Sequence, residues 1–319
     1  MPLFSEHTAR SLEAAQATFE HDHTFEVLPE KTRKIYFVGS GSSYSQAIYG
    51  AQLVNRYLPY PAEYWNPYSF VRYAQVQADD VVVHLSQEAK RNDNRCPLGF
   101  GTRQGARTIL FASKTTELSE LASEVYWFAS ETEKILVASM SYVSGYAALL
   151  KWVYRQAEAL EITTPTLNLK EVYIAMQTRL TQSFEVPPQF TCFLYSHPAQ
   201  SVAVEGALKF NECLLLDSES YELKHYSHGK HFVSYNKPRT YVVLTHELDR
   251  DLVDLYAGTI FEKHHWVVSL ESSLPIDLAP LEWACGMLKF TVDGMRAIDL
   301  KLTDIPVRDK IRVPHTFRY

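Results

Sequence analysis

The chain has 319 residues, of which 46% are hydrophobic and 21% are charged. This composition is typical of folded globular proteins and excludes disordered and fibrous classes, and the length allows two domains of about 150 residues each. The 31 Lys and Arg residues against 37 Asp and Glu residues give a formal charge of -6, without the basic excess that binding to nucleic-acid phosphates requires, so we expect no nucleic-acid partner.

Two features of the sequence indicate the compartment in which the protein works. Residues 1–30 carry Glu, His and Asp where a secretory signal needs an apolar run, and no later apolar run approaches about 18 residues. We therefore expect a cytoplasmic protein that makes no membrane contact. Cys96, Cys192, Cys213 and Cys285 are scattered without a C-x-x-C pair, which predicts small core residues rather than a zinc ribbon or a disulfide scaffold.

In the first half of the chain, short apolar runs alternate with helical patterns. The predicted strands are Lys34–Val38, Asp80–Leu85, Thr108–Phe111 and Val125–Ala129, and the predicted helices are Tyr44–Tyr57 and about Ser139–Leu160. Such alternation predicts a parallel sheet with helices on both faces. The stretch Thr163–Thr166 contains Pro165 and is typical of a linker, so we predict a first domain over residues 1–162 that includes an N-terminal helix.

The second half, residues 163–319, repeats this order and ends in a C-terminal tail. The predicted strands are Thr191–Tyr195, Thr240–Leu244 and His265–Leu270, and the predicted helices are Leu169–Phe184, Gln200–Leu216, Asp249–Phe261 and Leu281–Phe290. The fold class expected for both halves is therefore α/β, each with a central, mainly parallel sheet flanked by helices.

Two loops that follow predicted strands are candidate ligand sites. The first is the glycine- and serine-rich turn from Gly39 to Tyr44, which leaves backbone N–H groups at the positive end of a helix and favours an anion. Its alternative is a well-capped helix without a ligand. The second is Ser86 to Asp93, at the carboxyl end of a strand, where parallel sheets bind ligands. A solvated charged loop is the alternative there.

The segment Val202 to Glu212 carries a narrow charged stripe. At 100° per residue, Glu205, Lys209 and Glu212 lie within an arc of about 60°, with apolar residues on both edges. A solvated face would be wider, so these three charges are expected to point into a confined site. An exposed Glu–Lys pair four residues apart is the alternative.

Histidines are densest between His225 and His231. A metal site is one interpretation, although steps of three residues with an intervening glycine do not give the usual i, i+4 ligand pair. A histidine that performs acid–base chemistry near neutral pH is the favoured functional interpretation, and a packed or surface histidine is the structural one.

Together these segments resemble the tandem sugar isomerase (SIS) domain family, which includes the isomerase half of glucosamine-6-phosphate synthase and the fructosamine phosphate deglycases. Glu205 to Glu212 nearly reproduces the family helix Glu-Gly-Ala-Leu-Lys-Leu-Lys-Glu. Sixteen residues after Glu212, His228 and Gly229 match the family's His-Gly-Pro. In the first half, Ser40 to Tyr44 is similar to the family's Cys-Gly-Thr-Ser-Tyr loop, and Val137 to Ser139 is similar to its Val-Ala-Ser.

The resemblance implies two SIS-type three-layer domains, a homodimer, a phosphorylated sugar as ligand, and neither metal nor cofactor. It implies the catalytic residues Glu212, which moves a proton between C1 and C2, His228, which opens the ring from the neighbouring subunit, and Lys209, which neutralises the enediolate. The implied substrate-binding residues are Ser42, Ser43, Ser86, Gln87, Ser139 and Glu205, the first four on the phosphate.

The sequence departs from the family at the phosphate loop. The family continues Ser-Gln with Ser-Gly-Glu-Thr, whereas Ser86 and Gln87 are followed here by Glu-Ala-Lys-Arg. Glu88 would repel a phosphate, whereas Lys90 and Arg91 would restore the contact by charge. We therefore expect a sugar phosphate or a related anion of different shape or placement, and a substrate other than the family's usual one. Lys310 is the counterpart of the family's tail lysine.

Two functions from different classes fit these residues. One is an enzyme for aldose–ketose isomerisation or deglycation of a sugar phosphate or amino-sugar phosphate. The other is a non-catalytic sensor or partner subunit that binds the same ligand. The presence of Glu212 and His228 favours the enzyme, because a sensor needs no base.

Overall fold

The computed structural model describes residues 2–87, 95–113, 117–130, 133, 137–187, 189–234, 237–257 and 266–300. These residues form two compact units. The N-terminal unit holds residues 13–133 and 140–166 of the described chain, and the C-terminal unit holds residues 2–12, 137–139 and 167–300. The predicted first domain, residues 1–162, also includes the N-terminal segment 2–12, which in the structure belongs to the C-terminal unit.

The strands are β1 (Lys34–Val38), β2 (Ala62–Trp65), β3 (Asp80–Leu85), β4 (Arg107–Ala112), β5 (Glu124–Trp127), β6 (Thr191–Tyr195), β7 (Ser218–Glu222), β8 (Thr240–His246) and β9 (Trp266–Ser272). The α-helices are α1 (Pro2–Ala9), α2 (Ser11–Glu20), α3 (Ser42–Tyr57), α4 (Pro67–Tyr73), α5 (Arg95–Arg103), α6 (Met140–Ala159), α7 (Leu169–Thr181), α8 (Gln200–Lys209), α9 (Leu223–Tyr226), α10 (Lys230–Ser234), α11 (Arg250–Ala257) and α12 (Ala279–Ala297). A π-helical turn, Phe210–Leu214, follows α8 directly. None of the helices in these described ranges is long and apolar enough to cross a membrane.

The N-terminal unit is a three-layer α/β structure around a parallel sheet of order β2-β1-β3-β4-β5. Alternate residues of β1 face opposite layers, as the period of a strand requires. Tyr36 packs with Phe70 of α4 on one face, and Phe37 packs edge to face against Trp152 of α6 on the other, with ring centroids 6.2 Å apart. Both faces of the sheet are therefore buried, which explains the continuous apolar runs of its central strands.

The C-terminal unit is built in the same way around a parallel sheet of order β7-β6-β8-β9. On one face, Phe193 of β6 packs against Phe210, and Phe210 stacks on Phe290 of α12 with centroids 5.2 Å apart. On the other face, Leu194 clusters with Leu223 of α9 and with neighbouring residues of the sheet and α11. The predicted fold class is confirmed in both units.

The cysteine prediction is confirmed for the three cysteines whose side chains the structure describes. Cys192, Cys213 and Cys285 are free and buried. Burial raises the pKa of the Cys192 and Cys213 thiols to about 12, and it also raises that of Cys285. The side chain of Cys96 lies outside the described part of the chain.

The structure adds two edge strands that were not predicted and corrects several helix ends. β2 and β7 were absent from the predicted strands because neither carries a continuous apolar run: β2 reads Ala-Glu-Tyr-Trp and β7 reads Ser-Glu-Ser-Tyr-Glu. The helix predicted over Leu169–Phe184 ends at Thr181, and the helix predicted over Leu281–Phe290 extends from Ala279 to Ala297. The predicted helix Gln200–Leu216 is an α-helix only to Lys209 and continues as the π-turn Phe210–Leu214.

Candidate functional site

The turn between β1 and α3 is shaped by two glycines. A Cβ atom at Gly39 would lie 2.3 Å from the carbonyl oxygen of Ser43, so only glycine fits there. Gly41 has a φ of 57°, in the left-handed region that favours glycine. The N–H of Ser43 donates to a carbonyl within the turn at 3.1 Å. The groups in this turn that could bind an anion are therefore the half-buried hydroxyls of Ser42 and Ser43 and the positive end of α3.

Ser86 and Gln87 follow β3 at the same edge of the sheet. β1 and β3 are parallel neighbours, with Val38 opposite His84, so the segments after them leave the sheet side by side. The strand order reverses between these two strands, and open α/β sheets bind ligands at such a reversal. The structure thus brings the turn after β1 together with Ser86 and Gln87 at one edge of the sheet.

A buried carboxylate that no motif in the sequence pointed to holds Gln87. The Nε2 group of Gln87 donates to Glu133 Oε2 at 2.9 Å, and the hydroxyl of Ser141 donates to the same oxygen at 2.5 Å. Glu133 Oε1 accepts the N–H of Met140 at 2.6 Å, where α6 begins. Glu133 is 6% exposed. Its carboxylate ties the end of β3 to the positive N-terminus of α6.

Of the remaining ligand-binding residues predicted in the first half of the chain, one is buried and the others lie outside the described residues. Ser139 lies immediately before α6 and has no exposed surface. Lys90 and Arg91, which were expected to supply positive charge, lie outside the described residues, as does Lys310.

The charged stripe of α8 is buried, so the alternative of an exposed Glu–Lys pair is wrong. Glu205 and Lys209 both have 0% side-chain exposure, and Lys209 Nζ lies 2.5 Å from Glu205 Oε1. Glu212 Oε2 lies 3.7 Å from the same ammonium, and its side chain is 36% exposed. One carboxylate therefore neutralises the cation inside the protein while the second is accessible from outside.

The two carboxylates keep Lys209 charged. Burial lowers the pKa of Lys209, but the nearby charges of Glu205 and then Glu212 raise it by more, so the pKa lies above its ordinary value of 10.5. The side chain is therefore a buried ammonium at neutral pH, placed to stabilise negative charge that develops beside it.

Close packing positions this stripe on the C-terminal unit. A Cβ atom at Gly206 would lie 2.8 Å from the Phe193 ring and from the Met287 sulfur, so glycine lets α8 lie directly on β6 and α12. The following π-turn contains Glu212, ends at Leu214 and is capped by Leu215, whose φ is 54°. Because π-turns shift side chains around the helix axis, Glu212 does not occupy the position that a regular α-helix would give it.

His228 lies on an exposed turn between α9 and α10. Lys230 anchors this turn: its ammonium lies 2.7 Å from Glu219 Oε2 and 4.9 Å from the centre of the Tyr221 ring. The hydrogen bond from Lys230 to Glu219, with smaller contributions, raises the pKa of Lys230. Within the described ranges, no group of three His, Cys, Asp or Glu side chains is placed to hold a metal ion.

A cavity of about 610 Å³ in the C-terminal unit contains none of the predicted site residues. It is lined by Arg179, Glu247, Arg250, Ser269, Glu271 and Ser273. Its two arginines already have carboxylate partners, since Arg179 pairs with Glu282 at 2.7 Å and Arg250 pairs with Glu271. We therefore do not place a candidate site in this cavity.

Comparisons of sequence give distant relatives. No family model matches the chain. Over 237 residues the chain is 25% identical to the isomerizing glutamine–fructose-6-phosphate aminotransferase of Clostridium perfringens, and the alignment covers 68% of this chain and 39% of the relative. The enzyme of the same name from Aquifex aeolicus is 22% identical over 206 residues, which cover 62% of this chain and 35% of that one. The chain thus spans about two fifths of the length of these relatives or less.

Comparisons of structure identify the fold over nearly the whole chain. A structure described as glucosamine-6-phosphate deaminase from Thermotoga maritima has a TM-score of 0.81 at 15% identity and covers 96% of this chain and 98% of its own. The C-terminal domain of the glucosamine-fructose-6-phosphate aminotransferase from Francisella tularensis has a TM-score of 0.78 at 17% identity, with coverages of 92% and 95%.

Proposed function

We propose that the chain is a member of the sugar isomerase (SIS) domain family, as its similarity to the aminotransferases supports, and that it is an enzyme that moves a proton between C1 and C2 of a phosphorylated sugar or amino sugar. The reaction is aldose–ketose isomerisation, or a deglycation that passes through the same kind of enediol. The relatives support this substrate class, since their names refer to the 6-phosphates of fructose and glucosamine.

The observation that carries the proposal is the Glu205–Lys209–Glu212 cluster. A proton-transfer site needs a base that the substrate can reach and a cation beside the oxygen that becomes negative. Glu212 meets the first need, because it is 36% exposed, and Lys209, 3.7 Å away, meets the second. Glu205 keeps Lys209 charged and fixed at 2.5 Å. An ion pair that only stabilised the protein surface would not need a buried lysine between two carboxylates.

The proton transfer uses these groups in order. Glu212 removes the proton from C2 of the open-chain aldose, and the released electron pair forms the C1–C2 double bond while O1 becomes negative. The Lys209 ammonium stabilises this enediolate. The proton then returns to C1 while the hydroxyl proton of O2 passes to O1, which leaves a ketose and a regenerated Glu212. A positioned acid or base of this kind typically contributes 10²–10⁴-fold to the rate.

We assign the remaining roles from the resemblance to the SIS family. His228 opens the sugar ring and acts from the partner copy of a homodimer, which its exposed turn supports. Ser42, Ser43 and Ser86 hold the phosphate at the sheet edge, with Lys90 and Arg91 supplying charge. The protein works in the cytoplasm, where sugar phosphates are made and used.

Proton exchange tests the proposal. Wild-type protein is incubated in deuterated water with hexose and pentose phosphates, and NMR follows the replacement of the C2 proton by deuterium. Glu212→Gln should lose exchange but still gain thermal stability from the sugar phosphate, because the amide keeps the shape and loses the basicity. Glu158→Gln, at a side chain that is 68% exposed, is the control that should exchange normally.

Two results would contradict the proposal. Normal exchange by Glu212→Gln would remove Glu212 from the mechanism. A wild-type protein that binds sugar phosphates without any exchange would be the sensor or partner subunit instead.

A further inference from the structure

The side-chain amide of Gln87 is held in one orientation. Its Nε2 group donates to the buried Glu133 carboxylate at 2.9 Å. An ionised carboxylate accepts hydrogen bonds and donates none, so the nitrogen and not the oxygen of the amide must face Glu133. Among the described residues, none donates a hydrogen bond to Gln87 Oε1, and the side chain is half-buried.

The main chain of Gln87 is held as well. Its carbonyl oxygen accepts the N–H of Ser113 at 3.1 Å and the hydroxyl of Ser113 at 2.7 Å. With the backbone fixed by Ser113 and the amide nitrogen fixed by Glu133, the side chain has little freedom to rotate. A group held at two points in this way is pre-organised for recognition.

The contacts of Glu133 also determine which atom of the Gln87 amide is left to meet a ligand. Its carboxylate already occupies the positive N-terminus of α6, where it accepts the Met140 N–H at 2.6 Å. The second hydrogen on Gln87 Nε2 lies on a nitrogen 2.9 Å from this anion. Nε2 is thus already engaged by a carboxylate, whereas Oε1 accepts a hydrogen bond from none of the described residues.

We propose that Gln87 recognises the ligand as a hydrogen-bond acceptor, through Oε1, and that Glu133 is the positioning residue that sets this polarity. The ligand group at Gln87 is therefore a donor, a hydroxyl or a protonated amine of the sugar, and the phosphate binds elsewhere. The inference rests on the proposed function and differs from the phosphate role that the family resemblance implies for Gln87.

Binding measurements with three probes test the inference: fructose 6-phosphate, glucosamine 6-phosphate and inorganic phosphate, each by calorimetry. Gln87→Ala and Glu133→Gln should each weaken sugar-phosphate binding roughly tenfold, as the loss of one hydrogen bond does, and should leave the affinity for inorganic phosphate within about twofold. The double variant should bind no more weakly than Gln87→Ala, because Glu133 acts through Gln87.

A second measurement needs no ligand. With glutamine labelled in ¹⁵N, the Gln87 side-chain signal is assigned by its absence in Gln87→Ala, and its hydrogens should exchange slowly with water in the wild type and quickly in Glu133→Gln. If Glu133→Gln does not fold, the Gln87→Ala affinities and slow exchange in the wild type still decide the question.

The outcomes separate this inference from the proposed function. Equal losses of sugar-phosphate and inorganic-phosphate affinity in Gln87→Ala, additive losses in the double variant, or fast wild-type exchange would overturn the inference alone. A wild-type protein that binds neither sugar phosphate would overturn the proposed function and this inference with it.

Discussion

Replacing Lys209 with methionine is expected to lower the thermal stability of the C-terminal unit strongly. Glu205 and Lys209 have 0% side-chain exposure and lie 2.5 Å apart. Methionine keeps most of the aliphatic length of lysine but supplies no charge, so Lys209→Met leaves a buried carboxylate without its cation. The variant therefore measures the cost of that unpaired charge.

The burial of the Glu205–Lys209 pair determines how much stability Lys209→Met should lose. Removing one partner of a fully buried ion pair costs about 3–5 kcal/mol. For a unit of roughly this size, each kcal/mol lowers the melting temperature by about 2–4 °C, so the expected loss is about 6–20 °C. The double variant Glu205→Gln/Lys209→Met should melt above Lys209→Met, because it buries no unpaired charge.

Thermal unfolding followed by far-UV circular dichroism is the assay, and an exposed ion pair supplies the control. Arg155 and Glu158 lie 2.7 Å apart with exposures of 59% and 68%. Exposed pairs contribute about 0–1 kcal/mol, so Arg155→Met should shift the melting temperature by no more than about 4 °C.

The raised pKa of Lys209 makes the effect of Lys209→Met on the melting temperature depend on pH. Because the folded-state pKa is raised above 10.5, the stabilising contribution of Lys209 is fully present below pH 10.5 and is lost as the pH rises through the higher folded value. The difference in melting temperature between wild type and Lys209→Met should hold from pH 7 to about 9 and narrow above about pH 10.5.

Two results would refute this reasoning. A Lys209→Met variant that melts no lower than the Arg155→Met control would mean that the Glu205 carboxylate is not confined as described. A double variant less stable than Lys209→Met would mean that packing, and not an unpaired charge, accounts for the loss.

Further predictions concern the anion, the subunits and the thiols. Inorganic phosphate or sulfate should raise the melting temperature of the wild type, since a ligand that binds only the native state stabilises it. Replacing Lys90 and Arg91 with alanine should weaken this shift, and an unchanged shift would exclude both residues from the anion site. If His228 acts across a homodimer as proposed, mixing inactive Glu212→Gln and His228→Ala chains should restore some activity, because a mixed dimer would hold one site with both native residues. Inactivity of mixed dimers, isolated through separate tags, would contradict a shared site. In the Cys96→Ser variant, a thiol reagent should react slowly with the native protein, because the three described thiols are buried. After unfolding, the reagent should label three thiols. Fast labelling of the native protein would contradict that burial.

The amino-acid pattern alone determined the central strands and the buried charges. β1, β3 and β6 have the bounds that the apolar runs predicted, because strands buried on both faces are continuous in hydrophobicity. The charged stripe of Glu205, Lys209 and Glu212 was predicted from its angular width, and two of its three side chains are fully buried. Local sequence suffices for both because the pattern within one element decides which of its residues are covered.

Only the tertiary structure decided the features that depend on contacts between distant segments. Polar β7 is a strand because β6 lies beside it, with Thr191 opposite Ser218. Glu133 contacts the candidate site residue Gln87 because folding brings the two together from positions 46 residues apart in the chain, and no local pattern marks such a residue. The Glu133 carboxylate bonds to Gln87 after β3 and to Met140 at the start of α6. These two groups become neighbours only when the sheet and the helix pack together, so the local sequence cannot show that Glu133 joins them.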